Sequence, residues 1–124
     1  MSEALRGVVV CHGALAAALV TAAEQITGLT GRLVPVSNTG CDPATIEARI
    51  AEAIGGVPAM VFVDMPSGSC LFAAMHRLRE EPHVKVVTGV NLAMLIDFSF
   101  HVEETPEEAA ARAVATGERA IKAP

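Results

Sequence analysis

Tryptophan and tyrosine are absent from this 124-residue chain. With 52% hydrophobic residues all the same, its interior has to be filled by Val, Ile, Leu, Met and many alanines. Small side chains of this kind let helices pack closely on a sheet. No apolar stretch approaches bilayer length, and Glu3 and Arg6 interrupt any signal-peptide pattern, so direct membrane insertion is not expected. Basic residues are too few to offset the acidic ones. The net charge of −5 argues against nucleic acid and against anionic membrane surfaces, and favours partners that carry a basic patch. Cysteines are odd in number (Cys11, Cys41 and Cys70) and lack C-x-x-C spacing, which argues against a disulfide framework. The expectation is one domain over residues 1–124, working in the cytoplasm.

Familiar chemistries are missing as well. Neither G-x-x-x-x-G-K-[ST] nor G-x-G-x-x-G occurs, so a nucleotide-binding loop is not supported. No serine sits in a G-x-S-x-G elbow. Neither a cofactor nor a resident metal is expected.

What is present is a regular alternation. Leu5 to Cys11 reads as a buried strand, and Gly13 to Thr27 as a helix with Leu15, Leu19, Ala22, Ala23 and Ile26 at helical spacing. After the turn from Gly28 to Gly31, Arg32 to Val36 is a short strand. Asp42-Pro43 then pairs an N-cap with a proline at the first helical position, and Ile46, Ile50 and Ile54 stripe the helix up to Gly55-Gly56. Pro58 to Val63, apolar on both faces, is a central strand. Ser69 to Arg79 is a helix, Val84 to Thr88 a strand, and Asn91 to Phe98 a further helical turn or two. Thr105-Pro106-Glu107-Glu108 opens the last helix with a capping box. Right-handed crossovers then give an α/β fold, an open parallel sheet of order 2-1-3-4 with helices on both faces. Its switch point lies between strands one and three, where open sheets of this class bind ligands.

His12 ends strand one and Asp64 ends strand three, so this topology makes neighbours of residues 52 positions apart. A carboxylate that accepts a proton from one imidazole nitrogen fixes the tautomer and leaves the other nitrogen free as a nucleophile. Met65-Pro66-Ser67-Gly68-Ser69-Cys70 then opens the third helix, with backbone N–H groups and the Ser67 and Ser69 hydroxyls able to surround an anion. Gly13 contributes at the start of the first helix, and Thr88-Gly89-Val90-Asn91 follows strand four on the same rim. Singly, each element has a bland reading: Asp64 and Ser69 as helix caps, Thr88-Gly89 as a turn, Asn91 as a cap. His76, His83 and His101 read as solvated surface residues. The joint placement suggests transfer of a phosphoryl group activated elsewhere, through a phosphohistidine.

Three segments carry a family resemblance: Gly-Val-Val-Val-Cys-His-Gly-x-Leu-Ala, Val-Phe-Val-Asp-Met with its Ser-Gly-Ser loop, and Val-Val-Thr-Gly-Val-Asn-Leu-Ala-Met-Leu. They resemble the EIIA component of mannose-family phosphotransferase systems over nearly the whole chain. The resemblance implies a phosphotransferase of sugar transport with His12 as the phosphorylated residue, Asp64 as its supporting carboxylate and Ser69 in the phosphate-proximal loop. It implies phosphoryl entry from HPr and exit to an EIIB domain, or use as a regulatory phosphoacceptor without a sugar permease. It also implies a homodimer, with a short C-terminal strand near Ile121 as the element to cross between subunits. The family loop usually reads Asp-Leu-Phe-Gly-Gly-Ser-Pro, whereas this chain has Asp-Met-Pro-Ser-Gly-Ser-Cys. Pro66 stiffens the loop and removes a backbone donor. Met94, Leu95, Phe98 and Phe100 are expected to exceed what a small sheet can bury, which points to a dimer in its own right.

Two other classes compete. A receiver-like signalling domain phosphorylated on Asp64 fits the length, but it needs acidic residues after strand one, where Cys11 and His12 stand, and a fifth strand ending in lysine. A Cys/His metal-binding domain would gather Cys11, Cys41 and Cys70 near His12. Cys11 reads more simply as a buried strand residue.

Overall fold

The structure, a computed structural model, describes residues 4–124, so Glu3 lies outside the described residues. Strands β1 (Arg6–Cys11), β2 (Leu33–Ser37), β3 (Ala59–Val63) and β4 (Val84–Thr88) are separated by helices α1 (Leu15–Thr27), α2 (Pro43–Ile54) and α3 (Ser69–Arg77). Helices α4 (Leu92–Ser99) and α5 (Pro106–Arg119) follow. All three strand pairings are parallel and the sheet order is β2-β1-β3-β4, as expected from the alternation. Every residue of β3 is buried, in keeping with its unbroken apolar run and central place.

Alternation along β1 sends its side chains to two separate cores. Val9 and Cys11 pack with α1, α4 and α5, around Leu95, Phe98 and Phe62. Val8 and Val10 face α2 and α3, against Ile46, Ile50 and Ala73. The helices after β1 and β3 thus leave to opposite faces, which opens the crevice at the β1/β3 carboxyl ends.

The caps follow their sequence signals. Asp42 accepts from the Thr45 N–H at 2.8 Å, Gly55 closes α2 in the left-handed region, and Thr105 and Glu108 exchange both capping-box bonds. The α1 stripe agrees with the expected one at Ala23, which is buried, and at Leu19, which packs against the core, but is rotated away from its two ends. Ala16, Val20 and Ala23 are buried, whereas Leu15 is 44% and Ile26 61% exposed. Alanine at the contact lets α1 approach the sheet, and the larger leucine and isoleucine turn outward. The helix also starts at Leu15 rather than Gly13, whose φ of +60° is a left-handed value suited to glycine. Helix α3 stops at Arg77, two residues early.

Gly7 marks the tightest approach. A Cβ there would meet Leu33 Cδ2 and Phe98 Cε2 at 2.7 Å each and the Arg32 carbonyl oxygen at 3.2 Å. Gly7→Ala should therefore destabilise the chain by about 1–3 kcal/mol, the cost of overpacking. Gly117→Ala should cost less, because its new Cβ presses on the flexible end of Met94, which can give way, meets Asn91 only at ordinary contact distance, and alanine favours the helix. Urea denaturation of the two variants side by side checks the contrast.

Candidate functional site

The site is built from three strand ends. In the parallel register Val10 stands opposite Val63 and Cys11 opposite Ser37, so the residues just after β1, β2 and β3 meet. His12 and Asp64 are joined there as the topology requires. Asp64 Oδ2 accepts the His12 backbone N–H at 2.9 Å and lies 2.9 Å from His12 Nδ1. With Nδ1–H donated to the carboxylate, the lone pair resides on Nε2. Two bonds to one residue fix both backbone and ring.

Asp64 is not a helix cap. The N-cap of α3 is Gly68, and no side chain caps that helix. Burial works against the Asp64 charge, but the His12 backbone N–H and ring outweigh it, and the carboxyl lies below its ordinary range. It is therefore ionised at neutral pH. Its second oxygen, Oδ1, is buried and has no hydrogen-bond partner among the described residues. A buried acceptor left unpaired costs about 1–3 kcal/mol or more.

The far side of the ring looks onto the start of α3. A Cβ at Gly68 would stand 3.5 Å from both Cε1 and Nε2 of His12, and Gly68 has φ +96° and ψ −179°, a conformation reserved to glycine. Ser67, Gly68 and Ser69 are all exposed beside it. An uncapped helix start of this kind leaves backbone N–H groups facing the Nε2 side, a favourable place for an anion. Gly13 is differently engaged: its N–H is donated to Asn38 Oδ1 at 3.0 Å, and its carbonyl accepts from Ser37 Oγ at 2.7 Å. Ser37 and Asn38 thus brace the turn that carries His12. Sequence reading overlooked both, although Ser37 ends and Asn38 follows the second strand on the same rim.

The remaining rim residues separate from the site. Asn91 caps α4 through the Met94 N–H and ties it to α5 through the Gly117 carbonyl. Thr88 and Gly89 line a groove of about 610 Å³ between β4 and α5, with Val86, Val114 and Ile121. Met94, Leu95 and Phe98, expected to be surplus apolar bulk, are buried within the chain, and of that group only Phe100 is exposed. They fit because α4 packs against both α1 and α5. His83 is exposed as expected. His76 is exposed too, with Nδ1 2.6 Å from Glu47 Oε1, whereas His101 is only half-buried, with Nδ1 2.8 Å from the Asp97 carbonyl oxygen.

Of the cysteines, Cys11 is buried on the α1 side of the sheet and Cys41 donates to the Thr39 carbonyl at 3.3 Å. Burial and the Asp64 charge push the Cys11 thiol up to about 12 and the Cys70 thiol to about 11. Neither is a thiolate nucleophile at neutral pH.

No helix of the described residues is long and apolar enough to cross a membrane. A search of curated proteins found no match. Among solved structures, the mannose/sorbose-specific IIA subunit of a phosphotransferase system from Enterococcus faecalis superposes with a TM-score of 0.87 at 24% identity, covering 98% of this chain and 96% of that one. The phosphotransferase component EIIA from Streptococcus agalactiae gives 0.88 at 17% identity, with 96% of each chain covered. A PTS IIA protein associated with the fucose utilization operon of Streptococcus pneumoniae gives 0.80 at 20% identity, over 99% and 96%. At such identities the likeness is one of fold. The family model described as "PTS system fructose IIA component" matches residues 7–115, and the chain accordingly belongs to that family of phosphotransferase-system IIA components.

Proposed function

We propose that His12 is the phosphoryl acceptor of this phosphotransferase component, taking the group from phospho-HPr in the cytoplasm and passing it to an EIIB domain or holding it as a regulatory signal. The observation that carries the reading is the His12–Asp64 contact, with Nε2 turned toward the uncapped start of α3. The Nε2 lone pair attacks phosphorus, the new P–N bond forms, and the bond to the donor breaks with its electron pair leaving on the donor. Nδ1–H stays with Asp64 throughout, so the imidazolium created by phosphorylation faces a carboxylate already held in its charged state. The Ser67, Gly68 and Ser69 segment receives the phosphoryl oxygens through backbone N–H groups and hydroxyls. The chain's acidic balance suits a basic donor surface. Incubation with phosphoenolpyruvate, enzyme I and HPr should raise the intact mass by one phosphoryl group, labile to acid and stable to alkali. No mass change would defeat the reading, and an alkali-labile acyl phosphate would replace it with a receiver-like one.

The working unit we infer is a homodimer. The outer edge of β4 has no neighbouring strand among the described residues. Beside that edge, Val114 is 46% and Ile121 79% exposed at the groove. An open strand edge flanked by apolar side chains invites another chain. Residues 122–124, beyond the last backbone bonds of α5 to Ala120 and Ile121, form no strand within the single chain. Light scattering should give twice the chain mass at micromolar concentration. A purely monomeric protein would reject this assembly, and unchanged dimer affinity after truncation at residue 119 would show the tail to be dispensable.

A further inference from the structure

One group of three metal-ligating side chains converges among the described residues: His12, Asp64 and Cys70. One ligand atom from each (a ring nitrogen, a carboxylate oxygen and Cys70 Sγ) lies within 4.8 Å of the other two. The carboxylate side chain is only 9% exposed, and its Oδ1 has no partner among the described residues. The phosphoryl chemistry above uses Oδ2 and leaves both Oδ1 and the Cys70 thiol without a task. His12, at 40% exposure, gives the cluster a way to solvent.

From this geometry we propose that the unphosphorylated chain binds one zinc-like divalent ion between His12, Asp64 and Cys70, and that ion and phosphoryl group exclude each other. Nitrogen, oxygen and sulfur donors together suit zinc, whereas magnesium and calcium call for oxygen alone. Three protein ligands leave a fourth, solvent-facing position for water. Tetrahedral zinc spaces its ligand atoms about 3.3–3.8 Å apart, so closing the cluster needs side-chain movement of only about an ångström. Binding transfers the Cys70 thiol proton to solvent and forms a metal–thiolate bond. An ion on Nε2 occupies the attacking lone pair itself. An ion on Nδ1 displaces the hydrogen bond to Asp64 and draws electron density from the ring. Either way, linkage requires that phosphorylation weaken metal binding by the same factor by which metal weakens phosphorylation.

The exclusion rests on His12 being the phosphoryl acceptor, but the binding does not, and the test keeps them apart. Cobalt(II) is titrated into the reduced full-length protein and read by absorption. One equivalent should bind, with a thiolate-to-cobalt charge-transfer band in the near ultraviolet and strong visible bands of four-coordinate cobalt. The charge-transfer band should vanish in Cys70→Ser and Cys70→Ala, both checked for fold by circular dichroism, and persist in Cys41→Ser. His12→Ala, altered at a half-exposed side chain, should weaken binding about tenfold or more. Zinc should displace cobalt, and protein already phosphorylated should bind cobalt at least about tenfold more weakly. A cobalt complex without a sulfur band, or one indifferent to both Cys70 and His12, overturns the site. Equal affinity in the phosphorylated and free protein overturns the exclusion. Failure to phosphorylate at all would instead strike the phosphoryl reading and leave the metal titration standing.

Discussion

His12→Ala should abolish phosphoryl acceptance and leave the protein folded. The ring is 40% exposed and fills neither core, so its removal opens no cavity in the packed layers. The backbone N–H of residue 12 still donates to Asp64 Oδ2, which keeps the strand end in place. The lost ring hydrogen bond should cost about 1 kcal/mol. The chemical loss is total, because no other described histidine meets the start of α3: His76 faces Glu47, His83 lies beside Glu81 before β4, and His101 faces the Asp97 carbonyl oxygen. Intact mass after exposure to phospho-HPr, paired with urea denaturation, separates the two effects. A variant that still takes up a phosphoryl group would move the acceptor elsewhere.

Asp64→Asn should slow transfer by roughly ten- to a thousand-fold while costing no more than about 1–2 kcal/mol of stability. Asn preserves the shape and one acceptor for the His12 N–H. It removes the charge that faces the imidazolium, and its amide can offer a donor to Nδ1, which favours the wrong tautomer. Loss of an orienting carboxylate beside a catalytic histidine elsewhere costs up to about four orders of magnitude. The effect here should be smaller, because a phosphoryl donor is already activated. Since α3 takes Gly68 as its N-cap, the variant loses no cap at all. Quench-flow transfer from phospho-HPr measures the rate. Near-normal transfer with a large fall in stability would mean that Asp64 only holds the strand ends together.

The parts legible in the sequence were those where a local rule and the global topology agreed. Asp42-Pro43, the isoleucine stripe of α2 and the Thr105 capping box each satisfy their own hydrogen bonds or burial within a few residues. The strand order followed from right-handed crossovers, and it placed His12 beside Asp64 across 52 positions. What escaped was long-range. The α1 stripe could fall in either of two neighbouring phases that share Ala23, and only contact with the sheet selects Ala16 and Val20 over Leu15 and Ile26. Apolar bulk in α4 looks surplus from the sequence because one packing partner, α1, lies far away in the chain and the fold-back of α5 onto α4 carries no local signal. Asn38 gave no signal beyond its place after β2, since its side chain makes one bond, to the backbone of Gly13. Likewise, the cysteines at the rim could not be sorted by spacing. Side-chain direction separates Cys11, on one face of the sheet, from Cys70 beside Asp64.

The most direct test of the account is nitrogen–phosphorus NMR of the phosphorylated protein with ¹⁵N-labelled histidine. The account predicts a single phosphohistidine, His12, with phosphorus coupled to Nε2 and Nδ1 still protonated against Asp64. Phosphorus on Nδ1, on another histidine or on the Asp64 carboxylate would contradict it.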